Sequence, residues 1–317
     1  MADDSHKEQL PDLPHGLTSL GAANIDGKIF VYGGNLGDSH TYSKEGQNGT
    51  LYQLDLNAAK DGWKKVGEGP RLQGLAMVAV DGQLIRIGGF SATNEAGEEQ
   101  NLVSTNEVAR FNFESANWDK LAPLPEPRSS FDAVVVGKSV FVIGGWKLKT
   151  GTDSVWHETA WKYDLADEDP KWVELSKPPF VCRANSVSHQ DGKIFVVGGM
   201  KQRGGPTTDV HVYDIAEDSW SEGPALPGQP MEGFGNSSFH MLGSVYVSTH
   251  DGNLYKLDEK KSAWKKTKQL ERGRFFHRMI PYDEKQLVLL GGTNRSDGKL
   301  KQVDVVSTVA EEATTDK

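Results

Sequence analysis

Short apolar runs recur along the chain, each opened by a polar turn and closed by two glycines. "DGKIFVVGG" spans 191–199, and the same order returns as "DGKIFVYGG" (26–34), "DGQLIRIGG" (81–89), "VGKSVFVIGG" (136–145) and "DEKQLVLLGG" (283–292). A degenerate copy, "LGSVYVSTHDG", lies at 242–252. Apolar runs this short, bounded by turn residues, predict strands buried on both faces. Asp-Gly ahead of the run predicts the hairpin that joins it to the strand before. The glycine pair admits backbone angles closed to other residues and lets neighbouring backbone or an aromatic ring approach closely. It is read as strand geometry rather than a phosphate loop, and "GQNG" and "GEGP" are no nucleotide signatures either.

The pairs begin at Gly33, Gly88, Gly144, Gly198 and Gly291, with Ser248-Thr249-His250 in the fifth place. Their spacings are 55, 56 and 54 residues, then about 51 and 42 around the degenerate copy, a period that points to propeller blades rather than helical solenoids. A second signal follows in each unit: an apolar or aromatic residue, then Asp or Asn, then a tryptophan. Leu54-Asp55 precedes Trp63, Phe111-Asn112 precedes Trp118, Tyr163-Asp164 precedes Trp172, Tyr213-Asp214 precedes Trp220, and Leu257-Asp258 precedes Trp264. These tryptophans are expected to pack between blades.

Glycine doublet and spaced aromatic pair together resemble the Kelch repeat, over nearly the whole chain. The resemblance implies an all-β, six-bladed Kelch-type β-propeller of four-stranded antiparallel blades around a channel, taken as one domain over 1–309 with a polar tail at 310–317. The last repeat lacks a fourth strand, and "KEQLPDLPHG" stands where "WDKLAPLPEPR" stands between blades two and three. The N-terminal segment, near residues 6–11, is therefore expected to supply the outer strand of the last blade and seal the ring.

Composition narrows the partners. A formal net charge of −9 argues against nucleic acid, whose phosphates need a basic face. Cys182 is the only cysteine, so no internal disulfide forms. The start "MADDSHKEQLPDLPHG" lacks the basic and apolar regions of a signal peptide, and no run approaches the ~20 apolar residues that cross a bilayer. A cytoplasmic protein without membrane contact is expected; oligomeric state stays open.

Strand direction gathers the segments that enter each first strand and those that follow each doublet at one mouth of the channel. The entering segments supply Arg71, Arg128, Arg183 and Arg274, with Arg278 close by. Guanidiniums converging on one axis would suit a carboxylate, a phosphate or an acidic peptide. They could equally bond carbonyls of neighbouring blades or pair with Glu232 and Asp132. Phe234, Phe275, Glu232 and His277 hold comparable positions, while Trp146 and Trp156 share one long loop and could stack on a sugar or clamp a peptide.

Catalytic signals are sparser. Gly-x-Ser-x-Gly, His-Glu-x-x-His and paired-cysteine metal motifs are absent, and no cofactor is expected. "EGFGNSSFH" sets Glu232, Asn236 and His240 four apart, faintly similar to the iron motif of plant nitrile-specifier proteins. Steps of four on a strand hold side chains roughly 13 Å apart, too far to share an ion. Galactose oxidase is similar in fold only. "GPRLQGLAMVAVDGQLIRIGG" (69–89) and "GRFFHRMIPYDEKQLVLLGG" (273–292) look like stretches of the bacterial sialic-acid mutarotase (N-acetylneuraminate epimerase) family. That family places a catalytic acid directly after its fourth doublet, with an arginine a few residues on. Here Met200 stands in the acid's place, followed by Lys201 and Arg203, so the pair does not carry over.

The expectation is a binding module that takes an acidic ligand or peptide at the arginine-lined mouth, through Arg71, Arg128, Arg183, Arg274, Trp146 and Phe234. The alternative is a carbohydrate-active enzyme similar to the mutarotases, with Glu232 and His277 as acid/base candidates. A scaffold that uses its outer surface is the third reading.

Overall fold

The computed structural model describes residues 9–309. Among them stand six antiparallel sheets, each running in chain order from an inner strand to an outer one. The inner strands are Gly21–Ile25, Ala76–Val80, Asp132–Val136, Ser186–Gln190, Ser237–Met241 and Phe275–Pro281. Five sheets have four strands. The sixth joins Phe275–Pro281, Gln286–Asn294 and Asp304–Ser307, with the short Gly298–Lys299 on its long second strand. Each inner strand packs against those of the sheets before and after it, and the first packs against the sixth.

The apolar runs form the second strands, and their alternation explains why no polar position interrupts them. In Lys193–Val197, Ile194 and Val196 pack with Phe141 and Ile143 of the third sheet. Phe195 and Val197 pack with Val245 and Val247 of the fifth. Successive side chains point to opposite faces, and both faces meet a neighbouring sheet. Full burial of each such side chain contributes about 1.5–3 kcal/mol. The turn before this run, Asp191-Gly192, has positive φ at both residues (49° and 72°), which matches the twist of a two-residue hairpin.

Four of the five repeat tryptophans tie their sheet to the connection before it, whereas Trp118 Nε1 has no partner. Trp172 donates from its indole N–H to the Ala122 carbonyl at 2.9 Å, Trp220 to Ser176 at 2.7 Å, and Trp264 to Pro224 at 2.7 Å. Trp63 donates in the same way to Pro11 at 3.0 Å, so the N-terminal segment stands where other sheets have a connection. The match extends further: the Leu13 N–H donates to the Lys301 carbonyl as the Leu124 N–H donates to Asn106. Leu10 and Leu13 are buried with Ile280, Val288 and Val303 of the sixth sheet. The expected strand near 6–11 falls partly on residues outside the described ones, and 9–11 are in no strand. What the described N-terminal residues supply is apolar packing and carbonyl acceptors. Deleting residues 1–12 is expected to lower the melting temperature by roughly 5–10 °C, through loss of the Leu10 burial and the Trp63 acceptor. An unchanged thermal melt would contradict this.

A second device runs around the axis. Just before each inner strand, or within it in the sixth sheet, one residue adopts positive φ: Ser19, Gly74, Ser130, Ala184, Gly235 and Phe276. The N–H of each donates to the carbonyl of its equivalent in the preceding sheet, at 2.7–3.1 Å, and Ser19 donates to Phe276. Six backbone hydrogen bonds thus run head to tail in a closed circuit.

Candidate functional site

That circuit supplies the register the entering arginines lack in sequence. Counted from the positive-φ residue, Arg128 and Arg274 lie two before it, Arg183 one before it, and Arg71 three before it. Three different positions give three different fates.

Arg128 and Arg274 are 0% and 1% exposed. Nη1 of Arg128 donates to Gly144 and Thr159 carbonyls at 2.7 and 3.0 Å, and Nη2 to the Thr159 hydroxyl. Arg274 repeats this on Gly291 and Gln302 carbonyls and adds the Asp304 carboxylate. Both guanidiniums tie a glycine doublet to the third strand of its own sheet. Burial lowers both from the usual arginine value, that of Arg128 to about 10. The expected funnel of four arginines therefore shrinks, because these two face inward to carbonyls. Arg71 is exposed and donates to the Lys44 carbonyl at 2.7 Å.

Arg183 is the exception. It is half-buried, its guanidinium carbon lies 4.2 Å from the centre of the Trp146 ring and 5.4 Å from Trp156, and Nη2 points at the Met200 sulfur at 3.1 Å. Met200 is its direct partner across a short antiparallel pair. Among the described residues no carboxylate lies within ion-pair reach, and Nε has no partner. Trp146 and Trp156 face each other across their own two-residue ladder, ring centres 5.4 Å apart. At the equivalent position in the next two sheets stand Phe234 and Phe275, half-buried, ring centres 6.2 Å apart. In the first three sheets that position holds buried Thr18, Gln73 and Ser129. One arc of the mouth is thus cationic and aromatic. A guanidinium held over an indole, with no carboxylate of its own, is a group that can take a carboxylate.

The degenerate fifth repeat holds a second cluster. Glu232, 8% exposed, sits in the 3-10 turn Pro230–Gly233. Its Oε1 lies 3.7 Å from Nε2 of His250, which stacks on Phe275 at 4.6 Å, and its Oε2 has no partner. Asp251 accepts from Thr249, the Asn253 N–H and the Asn253 amide. Burial and the neighbouring Asp251 push Glu232 up to about 7. Burial works against Asp251 as well, but its hydrogen bonds prevail and hold it below the usual aspartate value. Asp251, His250 and Thr249 escaped the sequence reading. The signal was the replaced glycine doublet, taken there only as a degenerate copy.

A raised carboxyl has a sign in pH. Glu232 holds its proton more tightly folded than unfolded, so the stability it contributes is present below the ordinary glutamate value and is lost as pH rises through about 7. Relative to Glu232→Gln, the melting temperature of the natural protein should fall from pH 4.5 to pH 7.5. A flat difference would contradict the raised value.

His277 has another environment. It is 3% exposed, its Nε2 lies 2.6 Å from the Ser248 hydroxyl, and burial with Arg274 and Arg278 nearby holds it neutral down to about pH 3. Glu232 lies in the turn ahead of the fifth inner strand and His240 near that strand's far end, while Asn236 bonds Ser186 and the Val197 and Gly233 carbonyls.

Arg278 spans the channel. Its Nη1 meets Asp132 of the third sheet at 2.6 Å, and Nε and Nη2 donate to the Leu20 and Leu75 carbonyls. Asp132 in turn accepts the Val187 N–H at 3.0 Å. Above this spoke, inside the circuit of backbone bonds, a cavity of about 70 Å³ remains. Below it a larger one of about 270 Å³ lies toward the hairpins.

The KLHDC2/KLHL20/DRC7 Kelch-repeats domain family matches residues 96–249. Kelch-like protein terF of Aspergillus terreus is 26% identical over 68% of this chain and 46% of its own length. Kelch-like protein 35 of Mus musculus is 27% identical over 76% and 38%. The chain thus spans less than half the length of these two relatives. N-acetylneuraminate epimerase 1 of Escherichia coli is 24% identical over 92% of this chain and 76% of its own. The solved structure of YjhT, a Kelch-type propeller, superposes with a TM-score of 0.72 at 16% identity over 94% of this chain and 99% of that one, a likeness of fold. With its doublet repeat and its fan of antiparallel sheets, the chain has the β-propeller fold, and residues 96–249 of it match Kelch repeats.

Proposed function

We propose that this propeller is a binding module that takes a carboxylate of an acidic peptide or acidic sugar at Arg183. Kelch repeats serve as interaction modules, and the observation that carries the finer reading is the contrast among the arginines. Arg128 and Arg274 are bonded within their sheets, whereas Arg183 lies on Trp146 and faces a thioether. A methionine at 200, where the mutarotases hold an acid, leaves that positive charge for an incoming anion. Phe234 and Phe275 extend the contact toward an apolar neighbour of the acid. The net charge of −9 sets nucleic acid aside as partner.

Calorimetric titration with N-acetylneuraminate and with a glutamate-rich decapeptide tests this. Arg183→Ala should weaken the bound probe by about 10-fold or more, the worth of a charge-assisted hydrogen bond. Arg183→Lys should recover little, because an ammonium offers no planar fork. Binding unchanged in Arg183→Ala would refute the reading.

A second reading rests on Glu232. A carboxyl poised near 7 beside His250 suits proton transfer at neutral pH, which favours a carbohydrate-active enzyme similar to the sialic-acid epimerase. NMR anomer exchange of N-acetylneuraminate that is faster with the natural protein than with Glu232→Gln would support it. Equal rates would end it.

A further inference from the structure

The larger cavity belongs to neither reading. It lies on the hairpin side of the Arg278–Asp132 spoke, away from Arg183, and all six inner strands line it. Its volume of about 270 Å³ is roughly nine times the share of one liquid water and near the lower end of small-ligand pockets. Half-buried Ala79 and Ala133, on neighbouring strands, are among the residues that line it.

Its chemistry is mixed and uncharged. At the floor Arg278 and Asp132 neutralise each other. Near the mouth His189 and His240 stand with ring centres 6.3 Å apart, and burial keeps both below the ordinary histidine value. The rim carboxylate Asp191 is paired with Lys261 at 2.7 Å. Ser188 and Ser238 are buried in the wall, and the Ser238 hydroxyl has no partner. Imidazoles and hydroxyls donate and accept, while the alanine and methionine walls cover C–H surface.

We propose that this hairpin-side cavity is a second binding site, for a compact uncharged polyol or single sugar ring. Hydroxyls would bond the half-buried His189 and His240, and the apolar ring face would lie on the alanine wall. A charged ligand is disfavoured, because the floor presents a closed ion pair rather than an open cation.

Saturation-transfer NMR and calorimetry with three probes, myo-inositol, D-galactose and N-acetyl-D-glucosamine, test it on the full chain. At least one should bind saturably. Ala133→Phe, which fills the lumen, should abolish that binding while leaving the melt and the Arg183-dependent titration intact. Ala79→Phe serves the same purpose should the first variant fold poorly. His240→Ala should weaken binding severalfold, and Arg183→Ala should leave it unchanged. No saturable binding of any probe, binding that survives a filled lumen, or loss in Arg183→Ala would each overturn the proposal. Because the acidic probes report on Arg183 separately, failure here is distinguishable from failure at the mouth.

Discussion

Replacing Arg274 with alanine is expected to lower stability by about 3 kcal/mol, and Arg128→Ala by a similar amount. Each removal strips two backbone carbonyls of their donors at the junction between a doublet and the third strand. The bonds to Gly144 and Gly291 are buried, and those to Thr159 and Gln302 are partly so. Arg274→Ala also leaves Asp304 with Arg272 alone. Denaturant melts should show the loss, while binding at the mouth is retained in the folded fraction. Arg183→Ala should give the opposite profile, with little effect on the melt and a large one on binding. If all three arginines behave alike, the positional distinction among them is wrong.

Gly198→Ala is expected to be as damaging, at roughly 3–5 kcal/mol, from two separable causes. Position 198 has φ +63°, and a Cβ there would stand 2.3 Å from the Gly233 carbonyl oxygen and 2.6 Å from its Cα. Gly233 cannot retreat, because its own Cα faces the Thr207 carbonyl so closely that a Cβ on it would lie 1.8 Å away. Gly192 separates the causes. Its φ is +72° but nothing lies within 4 Å, so Gly192→Ala should cost only the left-handed conformation, about 1–2 kcal/mol. Equal losses at the two positions would show that close approach contributes nothing at the doublet.

The repeat was legible because its strands are short, apolar and punctuated by glycine, all local properties of the chain. Trp172, Trp220 and Trp264 could be assigned between blades for the same reason. The arginines could not be sorted, since their roles depend on distance from a positive-φ residue that Ser19, Ser130, Ala184 and Phe276 occupy without any glycine signal. The Arg278–Asp132 spoke joins residues 146 apart, and no spacing rule pairs an arginine with the far side of a ring. Asp251 was hidden differently. Its approach to Glu232 follows from the loss of a glycine doublet, and the sequence shows only that something is missing there. The larger cavity was unreadable because it is made of what the inner strands lack.

The circuit of six backbone bonds bears on synthesis. The bond from Ser19 to Phe276 closes only after the sixth inner strand has emerged. At 5–20 residues per second, the first sheet waits roughly 10–50 s on the ribosome for its last neighbour. Throughout that interval Leu10, Leu13 and Leu17, which finish buried between the first and sixth sheets, have only the first sheet's Ile29, Val31 and Leu54 to cover them. The nascent chain therefore carries a half-covered leucine cluster ahead of its first sheet, a natural target for holdase chaperones until the sixth sheet has formed.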